Sequence, residues 1–369
     1  MDKTNLAIVF GGKSGEYEVS LVSSSAVIDA VDTDKYNVIE LGITENGSWL
    51  IGQNCLKKFK EKDYSDLRAV SLSMDSNFRG LNIKGSDERL NVDLFFPVLH
   101  GPYGEDGTIQ GMFEMANIPY VGCGVLASST CMDKIQCKAI LNAYGIPTVP
   151  SVAFNRETFN KDPNLILKQI EDEIGLPAFI KPANMGSSVG INKAKTNEGV
   201  INAINIAFNY DRKILVEKAL RARELECAIL GNYDPIALAV GEVIVGGEFY
   251  DFNDKYVDGK SYTVVPAEID SKITEKVKLL SLEAYKALDC SGLSRVDTFL
   301  DLDTGEIFMN EINTLPGFTS ISMYPKMAEH YGLSYPELVE ELIAYAFSRH
   351  AEKQKNQIVY ESGSDWFRK

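Results

Sequence analysis

Histidine, paired cysteines, positive charge and long apolar runs are what this chain has least of, and each scarcity removes a class of function. Three of 369 residues are histidine, and the six cysteines (Cys55, Cys123, Cys131, Cys137, Cys227, Cys290) make no C-x-x-C pair. That argues against a zinc cluster and reads as reduced, mostly structural thiols. Lys and Arg total 37 against 52 Asp and Glu, a net charge of −15. Nucleic acid and anionic membrane surfaces both require basic patches, so neither is an expected partner and a small substrate is. No apolar run approaches the ~20 residues that span a bilayer, and MDKTNLAIVF lacks the layout of a signal peptide, so a cytoplasmic location is expected. Internal repeats and low-complexity segments are absent too. What is present is 45% apolar residues over a length that suggests two or three packed domains.

The most informative stretch is LSRVDTFLDLDTGEIFMNEINTLPGFTSISM, from Leu293 to Met323. It alternates with period 2 on either side of Asp303, Thr304 and Gly305. Taking those three as a turn sets Asp297 opposite Glu311 and Arg295 opposite Asn313, all on one face. Two carboxylates across a ladder repel, and burying them unpaired costs more, so a cation between them accounts for the pattern. Two carboxylates and a carboxamide are hard oxygen ligands suited to Mg²⁺ or Mn²⁺ with positions left for phosphate oxygens. The alternative is an ordinary solvated hairpin face.

Leu6 to Phe10, Gly11-Gly12 and the helical pattern from Val19 read as strand, glycine turn and helix, without the G-x-G-x-x-G spacing of a dinucleotide fingerprint. Glu16 at the helix mouth either complements the dipole or receives an ammonium group. A second such unit runs from Val92 to Asn117, with His100 closing the apolar strand DLFFPVLH where ligands collect in open α/β sheets. His100 is either a site residue or a satisfied structural histidine. LPAFIKPANMGSSVGINKA reads as a strand ending in Lys181, a loop of small residues and a returning strand. Gly186, Ser187, Ser188 and Gly190 would let backbone N–H groups approach phosphates, with Lys181 beneath; an ordinary glycine-serine turn is the alternative. Glu217 and Glu224 lie on successive strand segments, either as surface charge or as acceptors for an adenine amino group or ribose hydroxyls. FYDFNDKYVDGKSYTVVPAEI is polar, aromatic and irregular, the mark of a lid or binding loop. Helices are expected over Ile273–Leu288 and Pro336–Ser348.

GGKSGEYEVS, LHGPYGEDGTIQG, CMDK, IKPANMGSSVG, LVEKAL, KYVDGKSYTVVPAEI, SRVD and NEINTLPGFTSISMYP together resemble the ATP-grasp superfamily of carboxylate–amine ligases, and within it the D-alanine–D-alanine ligases. The likeness runs from about Leu6 to Ser348. It implies an α/β ATP-grasp fold with an N-terminal open parallel-sheet α/β domain. The implied parts are a substrate-binding domain at 1–125, a central subdomain with the glycine-rich phosphate loop at 126–222, a C-terminal subdomain with metal site and lid at 223–350, and a polar tail at 351–369.

The same resemblance implies roles. Lys134 and Lys181 would bind the α and β phosphates of ATP under the loop of Ser187, Ser188 and Val189, and Glu217, Lys218, Leu220 and Glu224 would hold adenosine. Asp297, Glu311 and Asn313 would hold two Mg²⁺ ions, with Mn²⁺ able to substitute. Glu16, assisted by His100, would take the ammonium of the first D-alanine. Arg295, Gly317 and Ser322 would surround the second D-alanine and the reacting carbonyl, and Tyr256 would bond to Ser187 and Glu16 when Lys255 and the lid close. Met323 stands where relatives that make D-alanyl-D-lactate or D-alanyl-D-serine tend to carry arginine. The implied activity is ATP-dependent D-alanyl-D-alanine synthesis for peptidoglycan precursors, in a homodimer. D-lactate or D-serine ligation and ATP binding without turnover are the alternatives; a nucleotide-binding oxidoreductase would leave the acidic hairpin without purpose.

Overall fold

The computed structural model describes residues 3–75, 77–244, 246 and 261–358. A seven-stranded sheet comes first in the chain, built from β1 (Thr4–Gly11), β2 (Tyr36–Ile43), β3 (Trp49–Ile51), β4 (Arg68–Leu72), β5 (Gly80–Ile83), β6 (Arg89–Asn91) and β7 (Leu94–Pro97), in the order β6-β5-β4-β3-β2-β1-β7. Leu6 to Phe10 of β1 are fully buried, as a strand covered on both faces requires. The helices α1 (Tyr17–Ala30), α2 (Cys55–Glu61) and α3 (Thr108–Met115) accompany this sheet.

The expectation of an open parallel sheet needs correction here. Only β2, β1 and β7 run parallel, whereas β2 to β6 pair antiparallel with their neighbours. Chain length decides three of these four pairings. The links at residues 44–48, 73–79 and 84–88 are too short for a crossover and close as hairpins instead, while the longer β3–β4 link at residues 52–67, which carries α2, also returns antiparallel.

After α4 (Val125–Met132) and α5 (Lys134–Ala143) comes a four-stranded antiparallel sheet of β8 (Ser151–Asn155), β9 (Ala178–Pro182), β10 (Asn192–Ala194) and β11 (Lys213–Lys218), ordered β10-β9-β11-β8. It carries α6 (Arg156–Lys161), α7 (Pro163–Glu173) and α8 (Asn197–Ala207). The third sheet, β14-β13-β12-β15-β16, uses β12 (Ala222–Gly231), β13 (Ile236–Ile244), β14 (Tyr262–Val264), β15 (Gly292–Asp301) and β16 (Ile307–Asn313), with α9 (Ser271–Ala287), α10 (Met323–Tyr331) and α11 (Tyr335–Lys353).

Local chemistry explains the helix starts that matter for the site. The Asp133 side chain accepts from the N–H groups of Ile135 and Gln136 at 3.1 and 3.2 Å, a cap worth about 1 kcal/mol that fixes Lys134 as the first residue of α5. A capping box of Ser334 and Glu337 starts α11, whose apolar stripe (Leu338, Val339, Leu342, Ile343, Ala346) shares a core with Leu6, Ile8, Leu94 and Phe96 of the first sheet. Each such aliphatic side chain contributes roughly 2 kcal/mol on burial. At the end of that stripe Arg349 donates to the carbonyls of Tyr120 (3.0 Å) and Gly122 and to Ser291 Oγ (2.8 Å), tying the first sheet's last segment to the start of β15. No helix among the described residues is long and apolar enough to cross a membrane.

Candidate active site

The β15–β16 ladder pairs Asp297 with Glu311 and Arg295 with Asn313, the register that the alternating pattern predicts. Getting there takes two compensating irregularities. The loop is one residue longer than the Asp303-Thr304-Gly305 turn, since Asp301 pairs across to Glu306, and a bulge opposite Asp297 and Thr298 restores the inner register by leaving Asn310 unpaired in the ladder. Asn310 is thereby turned to the cleft, where its Oδ1 lies 3.4 Å from Lys181 Nζ.

Charge on this face is closely matched. Arg295 donates to both Asp297 oxygens at 2.7 Å and lies 3.1 Å from Glu226 Oε2, while Asn313 Nδ2 donates to Asp297 Oδ2 at 2.9 Å. Burial disfavours the guanidinium, but Asp297, Glu226 and Glu311 outweigh that and hold Arg295 firmly cationic. Among the described residues no group of three or more His, Cys, Asp or Glu side chains is placed to hold a metal ion by itself. Two carboxylates and a carboxamide therefore make an incomplete oxygen set, which suits a hard cation whose remaining ligands arrive with a phosphate.

The opposite wall of the cleft, about 600 Å³ in volume, is basic. Lys134 Nζ donates to the Met185 carbonyl at 2.9 Å and sits 3.2 Å from Glu311 Oε2. Glu217 is gripped by two lysines, Lys138 at 2.6 Å from Oε1 and Lys181 in contact with Oε2. Burial opposes its ionisation, yet Lys181 and Lys138 prevail and hold its carboxyl down at about 2. Lys218, Leu220 and Glu224 line the same cleft.

The loop between β9 and β10 closes one end. Ser187 and Ser188 adopt left-handed backbone (φ 49° and 57°), a conformation L-residues adopt at some cost, followed by Val189 and by Gly190 at φ 76°. That turn brings Ser187 Oγ onto Glu16 Oε1 across 171 residues of sequence. Glu16 is the N-cap of α1, and a side chain on Gly101 or Gly186 would crowd its Oε2. Beneath it His100 is buried, with Nε2 3.2 Å from Ser23 Oγ and Nδ1 3.6 Å from Glu105 Oε1. Burial alone would lower the His100 pKa; its hydrogen bond and charge interaction with Glu105, with Glu16 adding, raise it overall. Glu105 is raised in turn, by burial first and by Glu16, against the pull of His100.

Gly317 and Ser322 face each other across a tight loop, where a side chain on Gly317 would meet Ser322 Oγ at 3.0 Å, and Ser322 Oγ bonds to Thr319. Met323 is buried in the core, its sulfur packed on Gly241, because the first turn of α10 lies against β13. Tyr256 and Lys255 lie outside the described residues. Four residues in or behind the cleft were not singled out by the sequence: Glu226 and Asn310 line it, Lys138 backs Glu217, and Glu105 backs His100. Glu226 had a signal, since it follows Glu224 at period 2 and so shares its face.

Residues 5–123 match the family model described as D-ala D-ala ligase N-terminus, and residues 140–344 match the D-ala D-ala ligase C-terminus. The chain belongs to the D-alanine–D-alanine ligase family. The D-alanine–D-alanine ligase of Acetivibrio thermocellus is 43% identical over 96% of this chain and 98% of its own, and that of a Thermoanaerobacter species is 45% identical over 96% and 99%. Among solved structures, the VanG D-Ala:D-Ser ligase from Enterococcus faecalis superposes with a TM-score of 0.85 at 39% identity, covering 94% of this chain and all of the other. The D-alanine–D-alanine ligase from Coxiella burnetii also gives 0.85, at 32% identity, covering 96% and 97%. These ligases share the fold along nearly the whole chain, the ATP-grasp architecture anticipated from the motifs.

Proposed function

We propose that the protein joins two molecules of D-alanine into D-alanyl-D-alanine, a peptidoglycan precursor, with ATP as the phosphoryl donor. ATP use and D-alanine binding go with the family. The observation that carries the reading is the convergence on one cleft of two lysines, the acidic hairpin with Arg295, and the Glu16–Ser187 contact.

A carboxylate is a poor electrophile. Transfer of the γ-phosphoryl group to the first D-alanine makes an acyl phosphate, and attack by the amine of the second forms the peptide bond and expels phosphate. In this reading Glu16, with His100 behind it, receives the first ammonium group. Lys134 and Lys181 neutralise the α and β phosphates while the Ser187–Val189 loop covers them. Glu217 orients Lys181 and Lys138, and Lys218, Leu220 and Glu224 border the adenosine. Asp297, Glu311 and Asn313 would hold two Mg²⁺ ions, or Mn²⁺, which would offset charge on the transferring phosphoryl group. Arg295 faces the developing oxyanion beside Gly317 and Ser322, a contribution of roughly 3 kcal/mol for a single donor. Lys255 and Tyr256 belong to a lid that excludes water. The assembly is a cytoplasmic homodimer whose parts follow the divisions at residues 125, 222 and 350.

The likeness to a D-Ala:D-Ser ligase keeps acceptor choice as the second reading. Met323 bears only on a hydroxy-acid acceptor, because methionine adds no positive charge that would disfavour an ammonium acceptor relative to D-lactate; D-serine carries the same ammonium as D-alanine, so the choice between those two is left to the measurement. Phosphate release from ATP, measured with D-alanine, L-alanine, D-serine, D-lactate and no acceptor, tests both. Release with D-alanine well above the other four is the expected result; equal release without any acceptor contradicts the ligase reading, and a preference for D-serine contradicts the acceptor assignment.

A further inference from the structure

The proposed chemistry uses none of the six buried cysteines, all of them free thiols, and two of these come together in the core: Cys131 Sγ lies 4.0 Å from Cys290 Sγ. Cys137 neighbours Cys131, and Cys123, whose thiol donates to the carbonyls of Ser291 and Leu293 at 3.4 Å, neighbours Cys290. The central pair separates two openings. Cys131, on the last turn of α4, borders a side pocket of the catalytic cleft together with Lys134, Met185, Glu311 and Asn313, with about 20 Å³ of space, enough for a water-sized molecule. Cys290 borders a different cavity of about 470 Å³ walled by Tyr120, Leu126, Tyr233 and Arg349.

The two thiols also stand directly upstream of catalytic groups. Lys134 is three residues beyond Cys131, and Arg295 is five beyond Cys290. A bond between the sulfurs would therefore couple the α4–α5 corner to the start of β15. We propose that Cys131 and Cys290 are a dithiol modification site, which a small peroxide entering from the catalytic cleft converts to a disulfide, displacing Lys134 relative to Arg295 and slowing turnover reversibly.

The chemistry balances. Hydrogen bonds from Cys137 and Cys290 favour the Cys131 thiolate against its burial, while the Cys137 and Cys290 thiols are raised, so Cys131 is the nucleophile. Its sulfur attacks the peroxide, the O–O bond breaks, and water leaves a sulfenic acid. Cys290 then attacks that sulfur, losing its proton and expelling a second water. Two thiols give up two electrons and two protons to one hydrogen peroxide. Closing the sulfurs from 4.0 Å to about 2.05 Å requires side-chain rotation and a shift of the two elements toward each other.

The experiment treats the reduced full chain with hydrogen peroxide, alkylates the remaining thiols, maps the peptides by mass spectrometry and follows phosphate release. The turnover readout rests on the ligase reading; the peptide map does not. A Cys131–Cys290 linked peptide should appear together with a loss of turnover of about tenfold, the scale expected of a sub-ångström misplacement, and dithiothreitol should reverse both. C290S and C290A should keep basal activity and resist peroxide, and ATP with Mg²⁺ should slow the linkage by filling the cleft. Absence of the linked peptide, a linked peptide with unchanged turnover, equal inactivation of the Cys290 variants, or a linkage rate indifferent to nucleotide would each overturn the proposal.

Discussion

Two largely buried glutamates, Glu217 in the cleft and Glu105 beside it, are held in opposite ways. Glu217 lies between Lys138 and Lys181, and its carboxyl is held at about 2, whereas Glu105 meets the His100 imidazole and the Gly101 backbone N–H, with the Glu16 carboxylate nearby, and its carboxyl is raised. Burial is common to both, so the partners decide. Two full ammonium charges overcome desolvation, and one titratable imidazole does not. The Lys138–Lys181 side is thus fixed in charge across the physiological range, and the His100–Glu105 side can exchange a proton; in the proposed reading these are the phosphate and amino-acid sides. Such a division suits a reaction in which phosphates must be neutralised throughout and an ammonium group must be received and an amine released.

Removing charge from the fixed side has the largest expected effect. Glu311→Gln should leave the fold intact by circular dichroism and lower turnover by orders of magnitude, while Mn²⁺ supports the parent in place of Mg²⁺; unchanged turnover would remove the metal assignment. Next comes Lys181→Ala, which deletes a charge-assisted contact commonly worth about 1.5–3 kcal/mol and leaves Glu217 with Lys138 alone. Calorimetry should show weaker ATP binding with D-alanine binding retained. The reverse outcome would mean that the β9–β10 loop serves the amino acid.

The labile side is tested by pH. Both His100 and Glu105 have raised values in the fold, so the native state binds more protons than the unfolded chain above the ordinary values of 6.5 and 4.5. Stability from this pair is fully present below those values and declines as pH rises through the raised ones. Urea denaturation from pH 5 to 8 should show that decline in the parent and a flatter profile in Glu105→Gln; identical slopes would break the contrast with Glu217, whose contribution is present above 4.5 and lost only as pH falls toward about 2. The smallest effect is expected at Met323, whose side chain is in the core. Met323→Arg should raise D-lactate incorporation by no more than about tenfold, or 1.4 kcal/mol, read by mass spectrometry of mixed-acceptor products. A wholesale switch to depsipeptide would place that position directly at the acceptor.

The sequence made local pairings legible and distant ones not. Asp297, Glu311, Arg295 and Asn313 could be placed on one face because a hairpin's period is short and its turn is marked by Asp-Thr-Gly. The bulge at Asn310 was invisible, since an extra residue interrupts the period without a composition of its own. Glu226 reaches Arg295 only because β12 pairs with β15, about seventy residues later, and no local pattern encodes that strand order. Lys138 sits in a helix with nothing local to mark it, and only the packing of α5 brings it onto Glu217. The antiparallel half of the first sheet was missed for the same reason: short mixed strands such as Arg89–Asn91 carry little alternation. Met323 was legible as apolar but not as buried, which depends on Gly241 lying beneath it.

The central claim is that the cleft activates one D-alanine carboxylate as an acyl phosphate for attack by a second D-alanine. D-alanine labelled with ¹⁸O in its carboxyl group tests it directly, because expulsion of phosphate from the acyl phosphate carries one carboxyl oxygen away. The account predicts one ¹⁸O in the inorganic phosphate for every D-alanyl-D-alanine formed, in the presence of ATP and Mg²⁺. Phosphate free of ¹⁸O, with dipeptide still produced, would contradict it.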